Sequence, residues 1–183
     1  MFPQIPSWDA MHPIIVHFPI ALLLIVPLLL VLGLAWKSSS RGLMIAALVL
    51  MVVGTIGTYV AFSTGSAGED AAEKIIGAKA VLEQHEELAE TTRIIFTVLT
   101  LIFAAILFVP RLLKKELGRR TTAFVTSAFL LFYLAGTLVL ANTAHQGGRL
   151  VHELGVRAAI GNGTQQIAPE GAFTHGKTVK DDD

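Results

Sequence analysis

The sequence predicts an all-α integral membrane protein, a four-helix bundle with both termini on the outer side. Three observations lead there. Of the 183 residues, 53% are hydrophobic and only 15% are charged, and the mean hydropathy of +0.64 exceeds what a soluble domain of ordinary composition reaches. Four apolar stretches, residues 13–36, 42–62, 94–109 and 121–141, read as membrane spans. The basic residues gather in the connections after the first and third of them, which the positive-inside rule assigns to the cytoplasm.

Residues 1–11 carry one acidic and no basic side chain. They lack the positive n-region of a cleavable signal peptide, so the first span is expected to be retained. That span is apolar except for His17, and its roughly 24 residues at 1.5 Å each cross a core of ~30 Å with some tilt. Pro13 and Pro19 fall in its first turns, where a missing N–H costs little, and Pro27 is positioned to kink it. Lys37 to Arg41 make the first connection. The second span carries Gly54, Gly57 and Ala61 at helical spacing, small residues that let another helix approach closely.

A break at Thr64-Gly-Ser-Ala-Gly68 follows. From Glu69 to Arg93 the chain reads as an amphipathic, mostly acidic helix with Ala71, Ile75, Ala78 and Leu82 on one face. It is expected to run without interruption into the third span, as an outer extension of that helix. Arg111 to Arg120 form the second tight connection, and the fourth span should end near a glycine cap at Gly147-Gly148. Residues 1–161 make up the bundle. Residues 162–183 read as a flexible polar tail closing on Lys180-Asp-Asp-Asp183.

With this orientation all six histidines lie on the outer side. Counting back from the cytoplasmic connections, His12, His85 and His145 stand 25, 26 and 25 residues up three different helices, about 38 Å at the helical rise. His17 is one to two turns deeper. Inside an apolar segment an ionisable group is costly and by default has a partner within the bundle. Each histidine also has a plainer reading: His12 as an interfacial aromatic, His85 as part of the solvated charge run Glu83-Gln-His-Glu-Glu87. His152 is separated from His145 by two glycines and receives no role, and His175 lies in the tail.

The absence of cysteine excludes disulfides, thiolate metal sites, iron–sulfur clusters and covalently attached haem. Zero formal net charge gives no global field toward nucleic acid. No nucleotide loop, nucleophile–base pair or His-Glu-x-x-His motif is present, and the spans hold no carboxylate of the kind a proton-coupled transporter needs.

The run His12-Pro-x-x-x-His17-Phe-Pro-Ile-Ala-Leu, the Thr64-Gly break, a histidine before the third span and Gly147-Gly-x-Leu-Val-x-x-x-Gly-Val156 together resemble the bacterial four-span membrane proteins called "domain of unknown function 2231". The resemblance covers about residues 9–157. Family members often have a histidine just before the closing Gly-Val, where this chain has Leu154. The arrangement is similar to that of small di-haem b-type membrane cytochromes, which implies haem b, one or two per chain.

Two chemical readings follow. In the first, the protein is an electron-transfer subunit rather than a stand-alone enzyme, in the bacterial inner membrane. It would ligate haem through His17 with His85 and through His12 with His145, because His12 and His17 point about 140° apart on one helix. Quinol, a periplasmic cytochrome c or other respiratory-complex subunits would be its partners, within the lipid bilayer. In the second, His12, His85 and His145 form a zinc or copper site at the outer interface with Glu86 or Glu87 near, which leaves His17 unexplained. A third reading, a structural or assembly subunit, needs no cofactor.

Overall fold

The structure is a computed structural model, and residues 7–115 and 118–156 are described. Four helices are long and apolar enough to cross a membrane: Asp9–Ala35, Ser40–Ser66, Lys79–Leu112 and Arg119–His152. The first begins as a 3-10 turn, Asp9–Met11, then α1 (His12–Ile15) and, after a turn at Val16, α2 (His17–Ala35). α3 is Ser40–Ser66, α4 the single turn Glu69–Ala72, α5 Lys79–Leu112 and α6 Arg119–His152. α2 packs on α3 and α6, and α5 packs on α6 and α3, so the four form a closed ring. Outward-facing Leu101, Phe124, Leu131, Phe132 and Leu138 are all at least 65% exposed, a surface that belongs against acyl chains.

Two expected boundaries change. The acidic segment is not one helix from Glu69. It is α4, then a turn at Gly77 with φ +82°, then α5 from Lys79. An L-residue would be strained at that φ, so the extension of the third helix is shorter than its periodicity suggested. Conversely, α6 does not end at Gly147-Gly148 but runs to His152, and the glycine that turns the chain is Gly155, φ +69°. His145 and His152 therefore share one helix, two turns apart. The expected tail, residues 162–183 with His175, lies outside the described residues.

The interior is held by small residues, aromatics and hydroxyls. Pro27 lacks the N–H that would bond the Leu23 carbonyl, and an unsatisfied carbonyl in hydrocarbon is costly. The buried Tyr133 hydroxyl donates to that carbonyl at 2.9 Å across the bundle. Tyr133→Phe should therefore destabilise the protein by about 1–3 kcal/mol, read as a lower thermal midpoint in detergent. An unchanged midpoint would mean that water replaces the hydroxyl.

The buried positions reveal an internal repeat. In α3, Met44, Ala47, Met51, Gly54, Thr55, Thr58, Ala61 and Thr64 are buried. Adding 82 to each number gives Thr126, Phe129, Tyr133, Gly136, Thr137, Leu140, Thr143 and Gln146, all buried in α6. In the same way Pro19, Leu23, Val26 and Leu30 of α2 map, at an offset of 73, onto buried Thr92, Phe96, Leu99 and Phe103 of α5. A Cβ on Gly54 would meet Leu22 and Leu23, and one on Gly136 would meet their counterparts Ile95 and Phe96. The two hairpins are equivalent halves about an approximate twofold axis along the bundle.

Candidate functional site

The offset that relates α2 to α5 carries His12 onto His85. Both half-buried imidazoles line one cavity of about 230 Å³ at the end of the bundle where α1 begins and α6 finishes. His12 stands 7, 11, 14 and 18 residues before the buried Pro19, Leu23, Val26 and Leu30, which at 100° per residue is a single helical face. His85 holds the same register to Thr92, Phe96, Leu99 and Phe103. The stripe that makes each helix pack thus also aims its histidine inward.

Each ring is anchored through the same atom. His12 Nδ1 is 2.9 Å from the Ala61 carbonyl, and His85 Nδ1 is 3.0 Å from the Thr143 carbonyl, the residue equivalent to Ala61. A carbonyl only accepts, so in both rings Nδ1 carries the proton and donates. Thr64 Oγ1 lies 3.0 Å from His12 Nδ1 and gives its own proton to the Ala61 carbonyl, so it too can only accept from the ring. Nε2 is then the unprotonated nitrogen with a free lone pair. Among the described residues neither Nε2 has a hydrogen-bond partner, yet no buried polar side-chain atom goes unpaired, so both Nε2 atoms are accessible.

Glycines clear the space behind the rings. A Cβ on Gly65 would lie 3.1 Å from His12 Cε1, and one on Gly147 would lie 3.1 Å from His85 Cε1. These glycines are again 82 residues apart. The second anchor is reinforced by Thr143, whose hydroxyl is 2.8 Å from that of Thr92 on α5, and by Gln146, which donates to Gln84 at 2.8 Å. Val16, Pro19, Ile20, Phe62 and Leu140 supply apolar wall, while Asp9, Glu69 and Glu86 are the acidic lining residues. Arg93 stacks 4.3 Å over the ring of Phe62, one of these wall residues, and 5.1 Å over Tyr59.

The other histidines are elsewhere. His17 is exposed, its Nδ1 turned back to the Pro13 carbonyl in the preceding α1, and it does not line the cavity. It faces outward because it lies five residues, about 140°, from the inward His12. His145 and His152 are exposed on α6 and do not line the cavity either. Of the expected pairs, His17 with His85 and His12 with His145, the structure brings neither together at the cavity; it places His12 and His85 there. Nor do His12, His85 and His145 converge: among the described residues no group of three His, Asp or Glu side chains is placed to hold a metal ion.

Residues 9–159 match the family described as "Predicted membrane protein (DUF2231)". The chain belongs to the DUF2231 family. No curated protein and no solved structure matches it. In this DUF2231 protein the opening His12-Pro-x-x-x-His17-Phe-Pro run serves two different surfaces, the first histidine turned to the cavity and the second to the outside.

Proposed function

We propose that this DUF2231 protein is an electron-transfer subunit that holds a metal centre, haem b in the first reading, between His12 and His85. Positive-inside orientation puts this site near the periplasmic face of the bacterial inner membrane. The observation that carries the reading is the pair of equivalent imidazoles lining one cavity, each with Nδ1 committed to a backbone carbonyl and Nε2 accessible. His12 and His85 would hold a haem through two neutral imidazole nitrogens, in a largely apolar cavity and without covalent attachment. When bound, the haem would supply one-electron chemistry between a quinol or membrane partner and an acceptor outside.

The protein's own part is positional. The Nδ1–H donors fix the tautomer and ring plane and raise the basicity of Nε2. The apolar walls keep water from competing for the centre, and Gly65 and Gly147 leave the rings room to lie against their helices. Asp9, Glu69 and Glu86 disfavour added negative charge and favour a cation. They support a second reading, zinc or copper held by the two imidazoles of His12 and His85 without a third protein ligand, since among the described residues no further His, Asp or Glu is placed to join them.

An absorption spectrum and metal analysis of the purified protein separate these readings. A low-spin Soret spectrum supports haem, and stoichiometric zinc or copper without one supports the second. Neither, even after haem and metal supplementation, sinks both and leaves a structural or assembly subunit. At the same end the exposed Asp70, Glu73, Glu83, Glu87 and Glu90 outnumber Lys74, Lys79 and Arg93, of which Lys79 pairs with Glu73 and Glu83 and Arg93 with Glu90, an acidic excess suited to a basic soluble partner such as a periplasmic cytochrome c. Electron transfer to such a partner should slow as ionic strength rises, because steering is screened over ~8–10 Å at ordinary salt. Stopped-flow rates that ignore salt would point instead to a permanent complex with other respiratory subunits.

A further inference from the structure

At the opposite end of the bundle a second cavity, about 610 Å³, opens among the ends of α2 and α5 and the starts of α3 and α6. Arg111, Lys114, Lys115 and Arg119 line it, with no acidic side chain among its described lining residues. All four are exposed along its rim, where like charges repel one another, and an anion held there relieves that repulsion. Leu34, Ile106, Leu107 and Val125 make the rest of the wall apolar, so the cavity joins a cationic rim to a greasy flank.

The internal repeat shows that the fold itself does not demand this cluster. The connection between α2 and α3 is equivalent to that between α5 and α6, yet it holds only Lys37 and Arg41, neither of which lines the cavity. One residue also keeps its charge at a backbone cost. Lys114 ends α5 in the left-handed region, φ +50°, with Lys115 N–H bonded to the Pro110 carbonyl at 2.9 Å. Glycine is the usual residue at such a helix end, and a lysine there is strained.

We infer that this cavity binds an anionic phospholipid, its phosphate among Arg111, Lys114, Lys115 and Arg119 and its glycerol and first acyl carbons against Leu34, Ile106, Leu107 and Val125. Basic pockets between transmembrane helices at the positive end recognise lipid headgroups in this way. The inference is independent of any cofactor between His12 and His85.

The test is native mass spectrometry of the intact protein, delipidated in neutral detergent and offered phosphatidylglycerol, phosphatidylcholine or inorganic phosphate. The wild type should retain phosphatidylglycerol in preference to phosphatidylcholine, and inorganic phosphate at equal concentration should not displace it. Lys115→Gln with Arg119→Gln should weaken retention about tenfold or more. Lys37→Gln with Arg41→Gln, which removes the same charge, should leave it within about twofold. Equal retention of the two lipids overturns the proposal, as does equal loss in the two double variants. Displacement by inorganic phosphate overturns it in favour of a free-phosphate site. The lipid preference of the wild type decides the matter even if a variant fails to fold.

Discussion

Alanine at His12 and alanine at His85 should each remove the proposed metal centre, and to the same degree, whereas His17→Ala and His145→Ala should leave it intact. The equality follows from the repeat: each imidazole stands on the same register of its helix and is anchored to the same position of its hairpin partner. Deleting either ring takes away one of the two proposed nitrogen ligands, and no other histidine lines the cavity to replace it. For haem the expected result is loss of the low-spin Soret band, or conversion to high spin, in both alanine variants. For zinc or copper it is loss of stoichiometric metal in both. His17 and His145 are exposed and line no part of the cavity, so their variants should keep wild-type spectra and metal content. A centre that survives His12→Ala but not His17→Ala would restore the pairing of His17 with His85 and refute the site described above.

The spans and hairpins were legible in the sequence because hydropathy reports how much of a segment can sit in hydrocarbon. It does not report which face looks inward. In water an inward stripe differs chemically from an outward one, but α2 is apolar all round. Its buried Leu23, Val26 and Leu30 are the same kinds of residue as its exposed Leu24, Ile25 and Val31. With lipid no less apolar than a core, that contrast is lost. His17 was expected to point inward from the cost of an ionisable group in an apolar segment, but near a helix end such a group can reach the interface.

Glycine misled in both directions. Gly77 sits within an unbroken amphipathic pattern, where one glycine costs a helix only about 1 kcal/mol, yet its φ of +82° breaks the chain. Gly147-Gly148 has the composition of a stop, yet Gly147 is a packing residue behind His85. A sequence signal for the repeat did exist. Gly54-Thr55 followed by Gly65, and Gly136-Thr137 followed by Gly147, stand at one spacing in the second and fourth helices. That repeat, followed back to the first helix of each hairpin, would have singled out His12 and His85.

Gly54→Ala should destabilise the bundle by about 1–3 kcal/mol, and Gly54→Ile should prevent accumulation of folded protein. A Cβ at residue 54 would lie 2.8 Å from both Cγ and Cδ2 of Leu23. Relief cannot come from the tip of a flexible side chain, because Cγ is the branch point of a fully buried leucine. The two helices must separate or Leu23 must move. Either response strains the bond that Tyr133 makes to the Leu23 carbonyl, so damage in one hairpin reaches the other. Gly42 is the control, since a Cβ there meets nothing within 4 Å, and Gly42→Ala should be neutral or stabilise by about 0.5–1 kcal/mol through helix propensity. Thermal melts followed by far-ultraviolet circular dichroism in detergent measure both. Leu23→Ala combined with Gly54→Ala should cost less than the sum of the two single variants, because the smaller side chain vacates the space the new methyl needs. If Gly54→Ala instead melts like Gly42→Ala, the close approach of α2 and α3 at this level is wrong, and the packing register that aims His12 at the cavity fails with it.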